Sequence, residues 1–132
     1  MTVSQALEKL SAYEKLMFTY NHASGLMYYD GATVAPRGSA DLRADTLGEL
    51  ARLSYALTTA PETVEMLRTL VEARDRLDPV TARKVSELWR DYEMTHRVPE
   101  EEFVAYQQLT SKADAVWHEA KERSDFALFE PY

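Results

Sequence analysis

Cysteine is absent from the 132 residues, so the chain can form no disulfide and no thiolate nucleophile or metal ligand. Glycine is sparse at four and proline at five, too few turn formers for a β-rich fold of this length. Long apolar runs are missing too. Near the N-terminus the longest is Leu26-Met27-Tyr28-Tyr29, far short of a bilayer span, and Glu8 and Lys9 fall where a signal peptide needs an apolar core. Clustered positive charge is lacking as well: 15 Lys and Arg are scattered among 22 Asp and Glu, for a net charge of −7. Phosphate backbones demand the opposite, which argues against nucleic acid as a partner. What remains is 45% apolar and 28% charged, a globular balance rather than a disordered one, and of a size for one domain over 1–132.

Helical spacing fills that balance. Val3, Leu7, Leu10, Tyr13, Met17, Tyr20, Ala23 and Met27 recur in steps of three and four. They predict a first helix over roughly 3–28, opened by a Thr2/Gln5 capping box. Asp30 to Ser39, with Gly31, Pro36 and Gly38, reads as an ordered loop. Ser39 is expected to cap a second helix striped by Leu42, Thr46, Leu47, Leu50, Leu53 and Leu57. Thr59 and Glu62 have capping-box spacing around Pro61, ahead of Val64, Leu67, Leu70 and Val71. Asp78-Pro79 caps a fourth helix with Val85, Leu88, Trp89 and Tyr92 inward. Val98-Pro99 opens a fifth, where Glu100, Glu101 and Glu102 suit the positive end of the macrodipole. Its inward set is Phe103, Tyr106, Leu109, Ala113, Val116, Trp117 and Ala120. Ser124-Asp125-Phe126 looks like one more cap, with barely two turns behind it. The expected fold is all-α, an antiparallel bundle or array of five to six helices.

Chemistry is thin on this scaffold. Of three histidines, only His118 has an acid at helical spacing, Glu122, and two ligands do not make a zinc site. No catalytic serine context is present. The paired acids read as solvated helix faces and the Tyr and Trp residues as core. The sharpest local feature is the loop, where Asp30 is expected to cap backbone N–H groups and to pair with Arg43.

Taken in order, several short motifs resemble one family. Tyr29-Asp30-x-x-Thr33-x-x-Pro36, followed by Gly38 and Arg43, is similar to the W-D-x-x-T-x-M-P motif of the carboxypeptidase Taq metallocarboxypeptidases. Arg90-x-Tyr92, Arg97-x-Pro99, Ala113, Trp117-x-x-Ala120 and Ser124-Asp125-Phe126-x-x-Phe129-x-Pro131 match later motifs of that family in the same order. Tyr29 stands where the family has tryptophan, Ala35 where it has methionine, and Gly31 and Ala32 replace bulkier polar residues.

The resemblance implies a cytoplasmic, helical, homodimeric enzyme that removes C-terminal residues from peptides. It implies a zinc or cobalt ion held by H-E-x-x-H and a downstream glutamate, whose bound water attacks the peptide carbonyl. None of those catalytic elements occurs here, so the expectation is no catalytic residue, no metal and no cofactor in this chain, with a peptide substrate only in a full-length parent. The motif residues are expected to be structural, in helices that form a wall of the substrate groove. Apolar surface beyond what the helices need among themselves points to a homodimer. The alternative is a stand-alone helical interaction module or decayed paralogue.

Overall fold

A computed structural model describes all of residues 1–132. Five α-helices account for most of the chain and no strand is present: α1 Val3–Thr33, α2 Ala40–Thr59, α3 Pro61–Glu72, α4 Pro79–Thr95 and α5 Glu100–Arg123. Short 3₁₀ turns sit at Arg37–Ser39, Arg74–Arg76 and Phe126–Leu128. The all-α expectation holds, but the sixth helix is only the last of these turns. No helix is long and apolar enough to cross a membrane.

Helix starts follow their caps at two places. Thr2 N–H donates to Gln5 Oε1 at 2.9 Å and Gln5 N–H to Thr2 Oγ1 at 3.2 Å, a reciprocal capping box. The Asp78 carboxylate accepts from Val80 and Thr81 N–H, both at 3.1 Å, with Pro79 in the first turn. Hydrogen bonding from the Thr81 side chain, and then from those backbone N–H groups, holds its carboxyl below the usual carboxylate range. Two other expected caps are corrected. Thr59 turns its hydroxyl back to the Tyr55 carbonyl, and the N-cap of α3 is Ala60. Ser39 bonds the Pro36 carbonyl instead of the free N–H groups of α2.

The chain divides into two compact units, Met1–Tyr20 with Leu53–Pro99, and Asn21–Arg52 with Glu100–Tyr132. The first holds a conventional core. Ala6, Leu10 and Tyr13 of α1 cluster with Met66, Leu67 and Leu70 of α3 and Val85 of α4. Leu57, Leu88, Trp89 and Tyr92 pack against that cluster, so the inward set of α4 is as the sequence predicts. Within it the Tyr13 hydroxyl lies 3.4 Å from Thr58 Oγ1. Burial, partly offset by that bond, raises the phenol above its ordinary pKa.

The second unit buries only small side chains completely: Ala44 and Gly48 of α2, and Val104 and Ala120 of α5. At Gly48 an added Cβ would lie 2.8 Å from Gln108 Cγ, so a larger residue there would have to displace the Gln108 side chain of α5. The leucine stripe read for α2 is therefore partly wrong. Leu42 is 71% exposed and Leu53 47%, while the small residues between them face inward. On α5, Tyr106, Leu109 and Trp117 are likewise exposed rather than core.

The C-terminus of α5 is closed by a residue in the left-handed region, Ser124, at φ 52°. Asp125 N–H reaches the Ala120 carbonyl at 2.9 Å and Ser124 N–H the Lys121 carbonyl at 3.2 Å, a Schellman pair. A side chain with a Cβ is strained there, and glycine is not. Ser124→Gly should therefore raise stability by about 0.5–1 kcal/mol, within the usual range for relieving a left-handed residue. Urea melts of the two proteins measure it, and an unchanged or lower midpoint contradicts the reading.

Candidate functional site

The segment around Asp30 gathers most of the sequence-predicted positions, and α1 runs through its first part. Tyr29 to Thr33 form the last turn of that helix rather than a loop. Asp30 acts there through its backbone: its carbonyl accepts from Val34 N–H at 3.0 Å and Ala35 N–H at 2.9 Å. Thr33 Oγ1 donates to the Tyr29 carbonyl at 2.6 Å, which ties down the same turn. The carboxylate of Asp30 is exposed and forms neither the cap nor the ion pair with Arg43 that the sequence suggested. Proximity in the chain was right, but the partner was not.

Arg43 is held elsewhere. Its Nη1 donates to Ser39 Oγ at 3.2 Å, and Ser39 Oγ donates to the Pro36 carbonyl at 2.7 Å. The guanidinium lies over Gly31, where a Cβ would fall 2.6 Å from Nε and 2.8 Å from Cζ. A helical glycine is costly by about 1 kcal/mol, so its use here is explained by the arginine that occupies the missing side chain's space. Gly38, by contrast, has no positive φ and open space at its Cβ; nothing in the structure requires glycine there. Tyr29 projects outward, 68% exposed.

The remaining motif residues are distributed over both units. Arg90 pairs with Glu87 at 2.8 Å one turn earlier, and Arg97 and Pro99 are exposed at the α4–α5 junction. Tyr92 stacks on His96 with ring centroids 4.8 Å apart. In the second unit Trp117 meets Phe129 edge-on at 5.4 Å, and Phe129 meets Phe126 at 6.3 Å. Asp125 precedes the last turn without a side-chain cap bond, and Pro131 is exposed.

The histidines are spread apart. His96 Nδ1 lies 3.0 Å from the Tyr92 carbonyl and His118 Nε2 lies 3.9 Å from Asp114, while Glu122 turns to Arg37. Nowhere do three or more His, Asp or Glu side chains come together. A catalytic zinc-type ion takes three protein ligands, and this donor set does not fit one. The cleft beside the N-terminus offers no alternative centre. Two pairs hold most of its charges, the terminal amine with Glu65 at 2.9 Å and Lys9 with Glu62 at 3.2 Å. Hydrogen bonding and charge from that amine lower the Glu65 pKa.

Sequence reasoning missed Ser39 as the hydrogen-bonded link between Arg43 and the Pro36 carbonyl. It read that serine as a helix cap, because Ser before a helical stripe is a local signal and the arginine contact is not. The Arg43–Gly31 contact predicts a thermodynamic coupling. Gly31→Ala in an Arg43→Ala background should stabilise by up to about 1 kcal/mol, the helix propensity gain. In the wild-type background the gain should shrink or vanish, because the methyl displaces the guanidinium. Equal gains in both backgrounds, by denaturant melts, would show that the two residues do not touch.

Comparison with known proteins agrees with the motif order. The sequence profile of the carboxypeptidase Taq (M32) metallopeptidases matches residues 9–132. Carboxypeptidase 1 of Bacillus subtilis (strain 168) is 34% identical over 131 residues, covering 94% of this chain. Thermostable carboxypeptidase 1 of Thermus thermophilus is 29% identical, covering 100% of it. A crystal structure described as BsuCP superposes with a TM-score of 0.90 at 32% identity over 98% of the chain. In each case the chain spans 26% of the longer protein's length. These matches, spread over helices of both units, establish that the chain belongs to the carboxypeptidase Taq (M32) metallopeptidase family.

Proposed function

We propose that residues 1–132 supply the N-terminal helical domain of a metal-dependent carboxypeptidase, forming part of one wall of its peptide groove and taking no part in bond cleavage. The observation that carries this reading is the match of nearly the whole chain to about a quarter of carboxypeptidase relatives. Sequence and geometry support the division of labour. The chain has no H-E-x-x-H segment, and its acids and histidines are engaged locally or exposed singly. A divalent metal, zinc or cobalt, would be held by residues outside this sequence, in a cytoplasmic parent acting on peptide C-termini. The second reading is a stand-alone interaction module, favoured by the self-sufficient core of the first unit.

A chimera separates the two. The matching segment of the Bacillus subtilis carboxypeptidase 1 is replaced by residues 1–132, and release of C-terminal residues from a peptide is followed with and without chelator. Turnover within about tenfold of the parent is expected, since a wall that is only displaced slightly should change the barrier by less than about 1.4 kcal/mol. The isolated chain with added zinc or cobalt should show none. A folded chimera without turnover, or chelator-sensitive turnover by the isolated chain, overturns the proposal.

A further inference from the structure

With 22 Asp and Glu against 15 Lys and Arg, acidic partners are plentiful, and most of the basic side chains have one. Among those that do not, Lys15, Arg68, Arg76, Arg97 and Lys121 are exposed, where water solvates the charge. Arg43 alone is half-buried. A guanidinium carries five N–H donors in a planar fork. One of them reaches Ser39 Oγ at 3.2 Å, and no carbonyl or carboxylate of the chain accepts another. Asp41, two residues away, turns to Lys112 at 3.7 Å, and Asp30 lies outside ion-pair range.

This unpaired cation is nevertheless held in one orientation. Ser39 Oγ donates its own proton to the Pro36 carbonyl at 2.7 Å, which leaves an oxygen lone pair facing the arginine. On the other side the guanidinium fills the space over Gly31, where a Cβ would fall 2.6 Å from Nε. The carbonyl end of α1 lends partial negative charge there but takes none of its N–H groups. A solvated surface arginine needs neither the serine nor the glycine. A fixed fork with unused donors is the arrangement that receives a planar anion through two parallel hydrogen bonds.

We propose that Arg43, oriented by Ser39 and Gly31, is a binding site for a carboxylate group. The site belongs to this chain's own residues, all within the second unit, and does not depend on the carboxypeptidase reading. The carboxylate comes either from an acidic side chain of a bound peptide or from a small free acid.

The test is an NMR titration of the isotope-labelled chain with sodium acetate, exchanged against NaCl at constant ionic strength. The Arg43 Nε–H and the Ser39 amide should shift together along one saturating curve. Arg43→Lys keeps the charge and loses the fork, so affinity read at the Ser39 amide should fall about tenfold or more. Ser39→Ala and Gly31→Ala should each weaken binding with Arg43 intact, the first by freeing the guanidinium and the second by displacing it. Asp30→Asn should leave affinity unchanged or raise it. A linear shift that chloride reproduces, or an Arg43→Lys affinity equal to wild type, overturns the site. Saturation seen only in Asp30→Asn also overturns it, since Asp30 would then be the occupant. If a variant loses its helical circular dichroism, the wild-type curve at Arg43 Nε–H decides alone. A blocked dipeptide of alanine and glutamate, whose sole carboxylate is its side chain, separates the two sources. Tighter binding than acetate assigns the site to peptides and equal binding to a free acid, and either result keeps it.

Discussion

Packing of α3 between the first half of α1 and α4 is the interaction on which the chain's order depends. Met66, Leu67 and Leu70 are buried to 1% exposure or less, and with Val85 they are the largest fully buried side chains in the protein. Each such side chain contributes about 1.5–3 kcal/mol by leaving water. No comparable group exists elsewhere. The Thr2/Gln5 capping box, the Asp78 cap and the surface ion pairs each add a fraction of one such burial, because exposed pairs are screened and hold long side chains in place. Tyr13 fits the core only because Thr58 meets its hydroxyl, which spares a buried polar atom from being left without a partner.

The second unit is built on a different principle. Ala44, Gly48, Val104 and Ala120 let backbones approach closely, but small side chains remove little apolar surface from water. Its large residues, Tyr28, Tyr29, Leu42, Tyr106 and Phe126, are on the outside. A unit of this kind is well shaped but weakly driven, with its aromatic side chains left at the surface. That property, rather than any reactive group, links the fold to the function proposed for it.

Much of the fold was legible because its signals are local. Thr2 with Gln5, Asp78 with Pro79, and the Val85–Leu88–Trp89–Tyr92 stripe each depend on residues within a turn or two, and all three form as read. The errors share a cause. At Leu42, Tyr106 and Trp117 the periodicity is genuine, but the faces of α2 and α5 that turn inward are the ones carrying Ala44, Gly48, Val104 and Ala120, and they are set by contacts remote in sequence such as Gly48 with Gln108. Asp30 was misread for a related reason: an acid beside glycine signals a cap, but α1 continues through it and the nearby arginine prefers Ser39 and the space over Gly31. The family itself was legible in motif order, since such order survives where single positions such as Tyr29 and Ala35 have changed.

The central physical claim is the inequality of the two units, and native-state hydrogen exchange on the isolated chain tests it most directly. Amides of Pro61–Glu72 and Pro79–Thr95 should exchange slowest, through opening that matches global unfolding. Those of Glu100–Arg123 should exchange through openings of distinctly lower free energy, because no large buried side chain holds that helix. Equal protection of α5 and α3 would contradict the account, for it would mean that the second unit is as firmly held without a partner as the first.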